Sequence, residues 1–412
     1  MHETDVAVIG AGAAGVAAAA RLRGKRQSCV LIEARNRVGG RAWTLPGELS
    51  LDLGCGWLHS ADTNEWAALA PELGFVVDDY PPPWARPAWE GNFSAAEQKE
   101  YWDAWRRFYE RVEAAEDKDL RLSDCFEPDG RFNAMLSAMV TYVNGAEAEK
   151  ITTREYALYH DSGKNKRIER GYGALITAAA AGLDLQLDCP VTLIDHSGKR
   201  LRIVTPRGEI RARVAIIAVP PGVLANGTLR FSPALPDKSE AAHALPLGVA
   251  DKVFLRVEHP EDLPNDTRVF GSLTTPETGS YTLRAFGRPV VEGYFGGTFA
   301  RALEGEIAPF AIEQVCDALG NDMRKRLSPI AESAWARDPW SLGSYSYGCA
   351  GAAASRATLA APVDERLFFA GEHCSRHDFS TAHGAYRTGV RAADEAMKAL
   401  ATLISRAPTR IS

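Results

Sequence analysis

The 412-residue sequence predicts an α/β fold of two interleaved domains, one of them discontinuous. Three observations predict it. Residues 6–33 read as strand, glycine-rich turn, helix and strand. A bulky stretch over residues 75–167, with Trp84, Trp89, Trp102 and Trp105, then replaces that Gly/Ala-rich texture. The opening texture returns at the end, as an apolar strand over 367–370, a polar turn and an Ala-rich helix over 382–404. A chain of this length exceeds one ordinary core and suits two domains.

Composition excludes several classes. Hydrophobic residues at 46% and charged residues at 24% sit at the globular average, which rules out disordered, collagen-like and fibrous chains. A net charge of −6 leaves no bulk-charge footprint for nucleic acid or an anionic membrane surface. Seven scattered cysteines, none in C-x-x-C spacing, argue against a disulfide framework and a structural zinc site and for reduced thiols in the cytoplasm. No leader pattern precedes the strand at Val6, and no apolar run is long enough to span a membrane. Nothing in the sequence specifies an oligomeric state.

Each element follows from its local pattern. Residues 6–9 form a short apolar strand, 16–23 a helix and 28–33 a second strand. Ser94-Ala-Ala-Glu97 is a capping box, opening a helix to about residue 115 within an inserted helical region. Period-two patterning over 186–194, 200–205 and 210–219, with Ser197-Gly198 and Arg207-Gly208 between, gives a small antiparallel meander and a buried strand. Strands are expected over 252–257 and 290–296, and a helix over 307–319.

The chemistry starts at Gly10-Ala-Gly-Ala-Ala-Gly15, between strand and helix, with Glu33 closing the next strand. Gly10, Gly12 and Gly15 permit a tight turn and close backbone approach. The helix start around Ala14 receives a pyrophosphate, and Glu33 accepts ribose hydroxyls, so the unit reads as dinucleotide-binding. Arg37-Val-Gly-Gly-Arg41 follows at once. Its Gly40 allows a second backbone approach, and its arginines suit phosphate, which favours a flavin over a nicotinamide dinucleotide. Asp52-Leu-Gly-Cys-Gly-Trp57 and Gly371-Glu372 add further turns of this kind, so the ligand is long and lies extended through the protein.

These segments, with Lys252, the stretch from Trp335 to Tyr345, Phe369-Ala-Gly-Glu-His373 and Thr381-Ala-His-Gly-Ala385, resemble the flavin-containing amine oxidase family. That family includes monoamine oxidases, polyamine oxidases and the amine-oxidase domain of histone demethylases. The matching segments span nearly the whole chain in the family's order. The resemblance implies an FAD-binding Rossmann-like domain of the hydroxybenzoate-hydroxylase type over 1–76, 166–240 and 338–412, and a sheet-plus-helices substrate domain over 77–165 and 241–337.

By the same resemblance, FAD contacts Gly10, Gly12, Ala14, Gly15, Glu33, Ala34, Arg35, Gly40, Arg41, Gly54, Cys55, Gly56, Trp57, Trp335, Gly371, Glu372 and Ala382, with Val191 near the adenine. Arg35 and Arg41 fall near the phosphates or ribityl chain, and Glu372 holds the ribityl or pyrophosphate region. Lys252 holds a water near flavin N5. Tyr345 is one wall of the family's aromatic pair; the other wall falls at Thr381, a departure that widens the cavity. Ser344 stands where monoamine oxidases carry a flavin-linked cysteine, which implies non-covalent FAD. Lys252, Tyr345, Trp335 and Thr381 are the expected catalytic set. His59, Tyr347 and the acids Asp119, Asp124 and Glu155 are candidates for the substrate side. His373 and His383 lack metal-ligand partners at sensible spacing, and no metal is expected.

The implied reaction is hydride transfer from the carbon beside an uncharged amine to flavin N5, hydrolysis of the resulting imine, and reoxidation by dioxygen to hydrogen peroxide. The implied partners are a small mono-, di- or polyamine and dioxygen. Rival readings are an amino-acid oxidase, in which Arg86 or Arg106 would grip a carboxylate, a desaturase-type or porphyrinogen-type oxidase, and a non-catalytic flavoprotein.

Overall fold

The computed structural model describes residues 2–405; residue 1 and residues 406–412, which the domain boundaries above include, lie outside the described residues. The first sheet has eight strands, in the order Arg230–Ser232, Leu193–Asp195, Leu201–Thr205, Gly208–Ile217, His2–Ile9, Cys29–Ile32 and Leu185–Gln186, with Leu367–Phe369 also paired to Gly208–Ile217. Its centre is parallel, because His2–Ile9 runs parallel to both of its neighbours and Leu367–Phe369 parallel to Gly208–Ile217. Buried on both faces, its central strands are continuous apolar runs such as Val6-Ala-Val-Ile9. The helices Ala13–Leu22 and Ala382–Ser405 pack together on one face, their alanines allowing close approach.

One expected strand divides. Residues 186–194 do not form a single strand: Leu185–Gln186 pairs parallel with Cys29–Ile32, whereas Leu193–Asp195 pairs antiparallel with Leu201–Thr205. Asp188 takes a left-handed φ of 50°, and Pro190 has no N–H to donate to a ladder, so the chain leaves the sheet between them. That break carries Val191 to the edge of a cavity.

The second sheet is antiparallel, in the order Thr267–Phe270, Ser280–Leu283, Val290–Gly296, Ala250–Val257 and Leu327–Glu332. Its odd-numbered residues, including Val253, Leu255, Tyr281, Leu283 and Val291, pack under the helix Ile307–Leu319. Strand side chains alternate between faces, so the even-numbered Lys252, Phe254, Arg268, Ser280, Thr282, Glu292 and Tyr294 share the opposite face and line the cavity. The helix Ala95–Glu113 carries the expected capping box and joins Asn133–Asn144 in an aromatic cluster that reaches the sheet at Phe270. Among the described residues no helix is long and apolar enough to cross a membrane.

Candidate active site

A cavity of about 1140 Å³ runs from the glycine turns of the first sheet to the even-numbered face of the second. Drug-sized ligands occupy pockets of about 300–1,000 Å³, so this space suits an extended cofactor together with a substrate.

At its first end the glycines meet steric requirements visible in the backbone. Gly10 has φ +98°, and a Cβ there would lie 2.5 Å from the Ala218 carbonyl oxygen; a Cβ on Gly15 would lie 1.8 Å from that of Gly10. Gly15 is therefore a packing residue and, alone among the expected cofactor contacts, does not line the cavity. Gly12 caps Ala13–Leu22 without a side-chain acceptor, which leaves first-turn amides open to the cavity at Ala13 and Ala14. The turn at Gly39 and Gly40 packs directly on Gly12. Glu33 is buried and accepts from the Ala11 N–H at 2.7 Å and the Arg35 N–H at 2.9 Å. A carboxylate has about four acceptor positions, so Glu33 keeps capacity for a ribose. Val191 lines the same end.

Two of the expected cofactor residues line the cavity and are also engaged by other protein groups. The Arg35 guanidinium, placed by expectation near phosphate, donates through Nη2 to Asp338 Oδ1 at 2.6 Å and Ser341 Oγ at 2.7 Å, and so braces the 338–341 segment. Glu372, expected to hold the ribityl chain or pyrophosphate, accepts from Arg41 Nη1 at 2.9 Å, from Ser346 N–H at 3.2 Å and Oγ at 2.6 Å, and from Ser380 N–H at 3.0 Å. These donors saturate it, and it acts on the cavity through Arg41, whose Nη1 also donates to the Ser344 carbonyl. Burial opposes the Glu372 carboxylate, but Arg41, His373 and Ser346 together hold it down at about 2.

The middle of the cavity centres on Lys252. It is 6% exposed, on an internal strand rather than an edge, and its Nζ pairs with Glu292 Oε1 at 2.8 Å. Burial opposes the ammonium, yet Glu292 and Asp52 outweigh it and raise its pKa, so Lys252 is a fixed cation. A Cβ on Gly56 would lie 3.2 Å from Nζ, so the facing turn approaches the ammonium closely. Gly54, Cys55 and Trp57 complete that turn; burial and Asp52 push the Cys55 thiol up to about 12, so it stays protonated. Trp335 donates its indole N–H to the Leu53 carbonyl and stands edge-on to Trp43, with ring centroids 6.4 Å apart.

Around the far wall, the Tyr345 hydroxyl donates to the Tyr142 carbonyl at 2.7 Å and lies 3.0 Å from that of Tyr294. Thr381 Oγ1 accepts from the Gly384 N–H at 3.0 Å, so it N-caps Ala382–Ser405, whose first turn opens on the cavity at Ala382. The Ser344 hydroxyl is held by Ala250, accepting from its N–H at 2.7 Å and donating to its carbonyl. Tyr347 packs against the helical cluster, and His59, kept neutral by burial, lies 2.6 Å from Asn165 Oδ1. Of the candidate acids only Glu155 lines the cavity; Asp119 pairs with Arg154, and Asp124 caps the turn at Arg121. Arg86 and Arg106 both lie off it, at Tyr80 and at Asp103. Tyr142, Arg268, Glu292 and Tyr294 also line the cavity, and sequence patterns alone did not single them out. The signal for Glu292 and Tyr294 was present, as polar or amphipathic residues alternating within the apolar strand Val290–Gly296.

A family model described as flavin containing amine oxidoreductase matches residues 82–397, and one described as an NAD(P)-binding Rossmann-like domain matches residues 8–73. The chain belongs to the flavin-containing amine oxidoreductase family. Relatives include polyamine oxidase 2 of Arabidopsis thaliana, 31% identical over 95% of this chain and 87% of its own length, and polyamine oxidase 4 of Oryza sativa subsp. japonica, 30% identical over 96% and 88%. A human lysine-specific histone demethylase 2 is 23% identical, the match covering 96% of this chain and 53% of that protein. Solved structures sharing the fold are cyclohexylamine oxidase from Brevibacterium oxydans, with TM-score 0.77 and 20% identity over 97% of this chain and 99% of that one, and a putrescine oxidase redesigned at its cofactor site, with TM-score 0.76 and 21% identity over 96% and 99%.

This amine oxidoreductase uses FAD, and its residues fit that group. The helix-start amides and the glycine cradle suit a pyrophosphate, Glu33 has free acceptor capacity, and the His373 Nδ1 is a buried atom of a cavity-lining residue with no partner among the described residues.

Proposed function

We propose that this enzyme oxidises a small amine with dioxygen as acceptor and that its FAD is held without a covalent bond. The observation that carries the reading is the Lys252–Glu292 pair in the cavity wall, its lysine buried, facing the Gly56 turn and paired across the sheet with Tyr294. FAD held in the dinucleotide cradle would supply the hydride acceptor for the amine α-carbon and the outlet for the electron pair to dioxygen, released as hydrogen peroxide.

The chain's own part is binding, orientation and exclusion of water. In this reading the cofactor domain spans 1–76, 166–240 and 338–412, of which residue 1 and residues 406–412 lie outside the described residues, and the substrate domain spans 77–165 with 241–337. Gly10, Gly12, Ala14, Gly40, Arg41 and Val191 hold the cofactor, with Glu33 on the adenosine ribose. Lys252 holds a positive charge, or a water, where negative charge and a proton must be managed. Tyr345 and Trp335 wall the reacting centre, and Tyr345, fixed by Tyr142 and Tyr294, presents a ring face to an approaching amine. With Thr381 closing a helix start in place of a second ring, the amine has one aromatic wall there, and Tyr294 is the neighbouring ring. The imine product is hydrolysed by water to an aldehyde or ketone and ammonia or a smaller amine.

The test is a peroxide-coupled screen of monoamines, diamines, polyamines and amino acids on the yellow holoenzyme. Anaerobic bleaching by an amine and peroxide release in air are expected; a protein bleached by no amine would sink the reading. Acid precipitation should leave the colour in the supernatant, since the Ser344 position offers no thiol and its hydroxyl is held by Ala250. A yellow pellet would contradict non-covalent attachment.

A further inference from the structure

Arg268 is a buried, cavity-lining cation that no carboxylate answers among the described residues. Three arginines are buried among the described residues, Arg167, Arg268 and Arg356, and the first two line the cavity. Arg167 pairs with Asp78 at 2.9 Å and Asp266 at 2.6 Å, and Arg356 with Glu155 at 3.6 Å. Arg268, only 7% exposed, has other contacts. Its Nε donates to Ser280 Oγ at 3.1 Å, its Nη2 lies 4.0 Å from the Met139 sulfur, and its plane sits 4.3 Å over the Phe270 ring. A guanidinium carries five N–H donors, and here Nη1 has no acceptor among the described residues. An isolated buried cation is costly, and the groups that surround this one are Tyr101, Tyr142, Phe270 and Met139.

Its position in the sheet is as informative. Arg268 pairs with Thr282, Thr282 with Glu292, and Glu292 with Phe254, while Lys252 lies two residues along that last strand on the same face. Arg268 therefore stands three strand spacings, roughly 14 Å, across the cavity wall from the strand of Lys252. The hydroxyls of Ser280 and Thr282 and the ring of Tyr294 lie between.

We propose that the substrate amine carries an anionic group several bonds from its reacting nitrogen, a carboxylate or a phosphonate of like geometry, and that Arg268 binds that group. The inference rests on the amine-oxidase reading above and narrows its substrate class. A planar guanidinium with free N–H groups matches a carboxylate edge-on. The two charges of an α-amino acid are too close together to reach both Lys252's neighbourhood and Arg268, whereas an ω-amino acid spans them. Glu292, paired with Lys252, keeps the amine end from attracting the carboxylate instead.

The test compares matched pairs on the holoenzyme: hexylamine with ω-aminohexanoate, and octylamine with ω-aminooctanoate. The carboxylated member should show the higher kcat/KM, by about 10- to 100-fold, the range of charge-assisted hydrogen bonds. Arg268→Met should erase the preference by lowering kcat/KM for the amino acids alone, and Arg268→Lys should retain part of it. Suberate, which cannot be oxidised, serves as a direct probe: it should raise the Tm of the wild-type holoenzyme and perturb its visible spectrum, and do neither in Arg268→Met. A preference for octylamine or for spermidine over the ω-amino acids, or suberate effects that survive in Arg268→Met, would overturn the proposal. If no amine bleaches the protein, the activity reading fails separately, and the suberate measurement still decides Arg268. Should Arg268→Met lose its FAD, the Arg268→Lys holoenzyme and the wild-type substrate preference decide between the two outcomes.

Discussion

The two ends of the cavity are built in opposite ways. The cofactor end consists of backbone: glycines that admit carbonyls and amides to within van der Waals contact, and a helix start left without a side-chain cap. The substrate end consists of side chains thrown onto one face of an antiparallel sheet by its register, under a roof of aromatic residues from a helical insertion. At Gly10, Gly15, Gly39 and Gly54 the backbone tolerates almost no change, because an added Cβ would meet a main-chain carbonyl oxygen that cannot move aside. Side-chain sites can be exchanged one residue at a time without disturbing the backbone that carries them.

That contrast can be broken deliberately. Gly15→Val should have the largest effect: with a Cβ only 1.8 Å from the Gly10 carbonyl oxygen, the strand-to-helix turn cannot close, and the protein should be recovered colourless or insoluble, read as visible absorbance per chain. Glu372→Gln keeps the shape but removes the charge facing Arg41, and should cost about 3 kcal/mol, seen as a lower Tm and weaker FAD retention.

Acid should act on the same corner. Burial lowers the His373 pKa to about 4 in spite of neighbouring Glu372, against about 6.5 in an unfolded chain. A depressed pKa contributes stability that is complete above the unfolded value and lost as pH falls through the folded one, here between about 6.5 and 4, worth roughly 3 kcal/mol. Glu372 adds the same sign of loss from about 4.3 down to about 2. Tm measured from pH 7 to 4 should therefore fall, and His373→Gln should flatten the upper part of that slope.

At the substrate end the effects are expected in rate rather than folding. Lys252→Met should leave FAD bound and slow the oxygen-dependent half-reaction by about 100-fold in stopped flow; an unchanged rate would remove the role given to Lys252. Thr381→Val keeps the side-chain shape at the cavity wall but removes the helix cap, and should lower stability by about 1 kcal/mol, read as a lower Tm.

Legibility in the sequence follows the same division. The turns at Gly10, Gly40 and Gly54 were readable because a backbone approach demands glycine at fixed local spacing, whatever the rest of the chain does. Arg35 and Glu372 were readable as members of the site but not in their contacts, since Asp338 and Ser346 come from segments hundreds of residues or dozens of residues away. Three strands of the second sheet escaped notice: Thr267–Phe270 and Ser280–Leu283 are too short to show a period, and Leu327–Glu332 contains Pro329, which an edge strand accepts. With them went Arg268, while the sequence pointed at Arg86 and Arg106, which face elsewhere.

The cofactor was legible in the sequence alone, because its signature lies in local glycine-rich patterns at both ends of the chain, whereas the domain division and the role given to Lys252 rest on the proposal above. Only the tertiary structure decided that Lys252 is buried against Glu292, that Thr381 caps a helix, and that Arg268 faces the cavity without a counter-charge among the described residues. The reason is strand register: a shift of one residue would turn Glu292, Tyr294 and Arg268 to the opposite face, and the alternation that sets this register is visible in Val290–Gly296 but not in the four-residue strands Thr267–Phe270 and Ser280–Leu283, whose apolar side chains find their face only by packing under Ile307–Leu319.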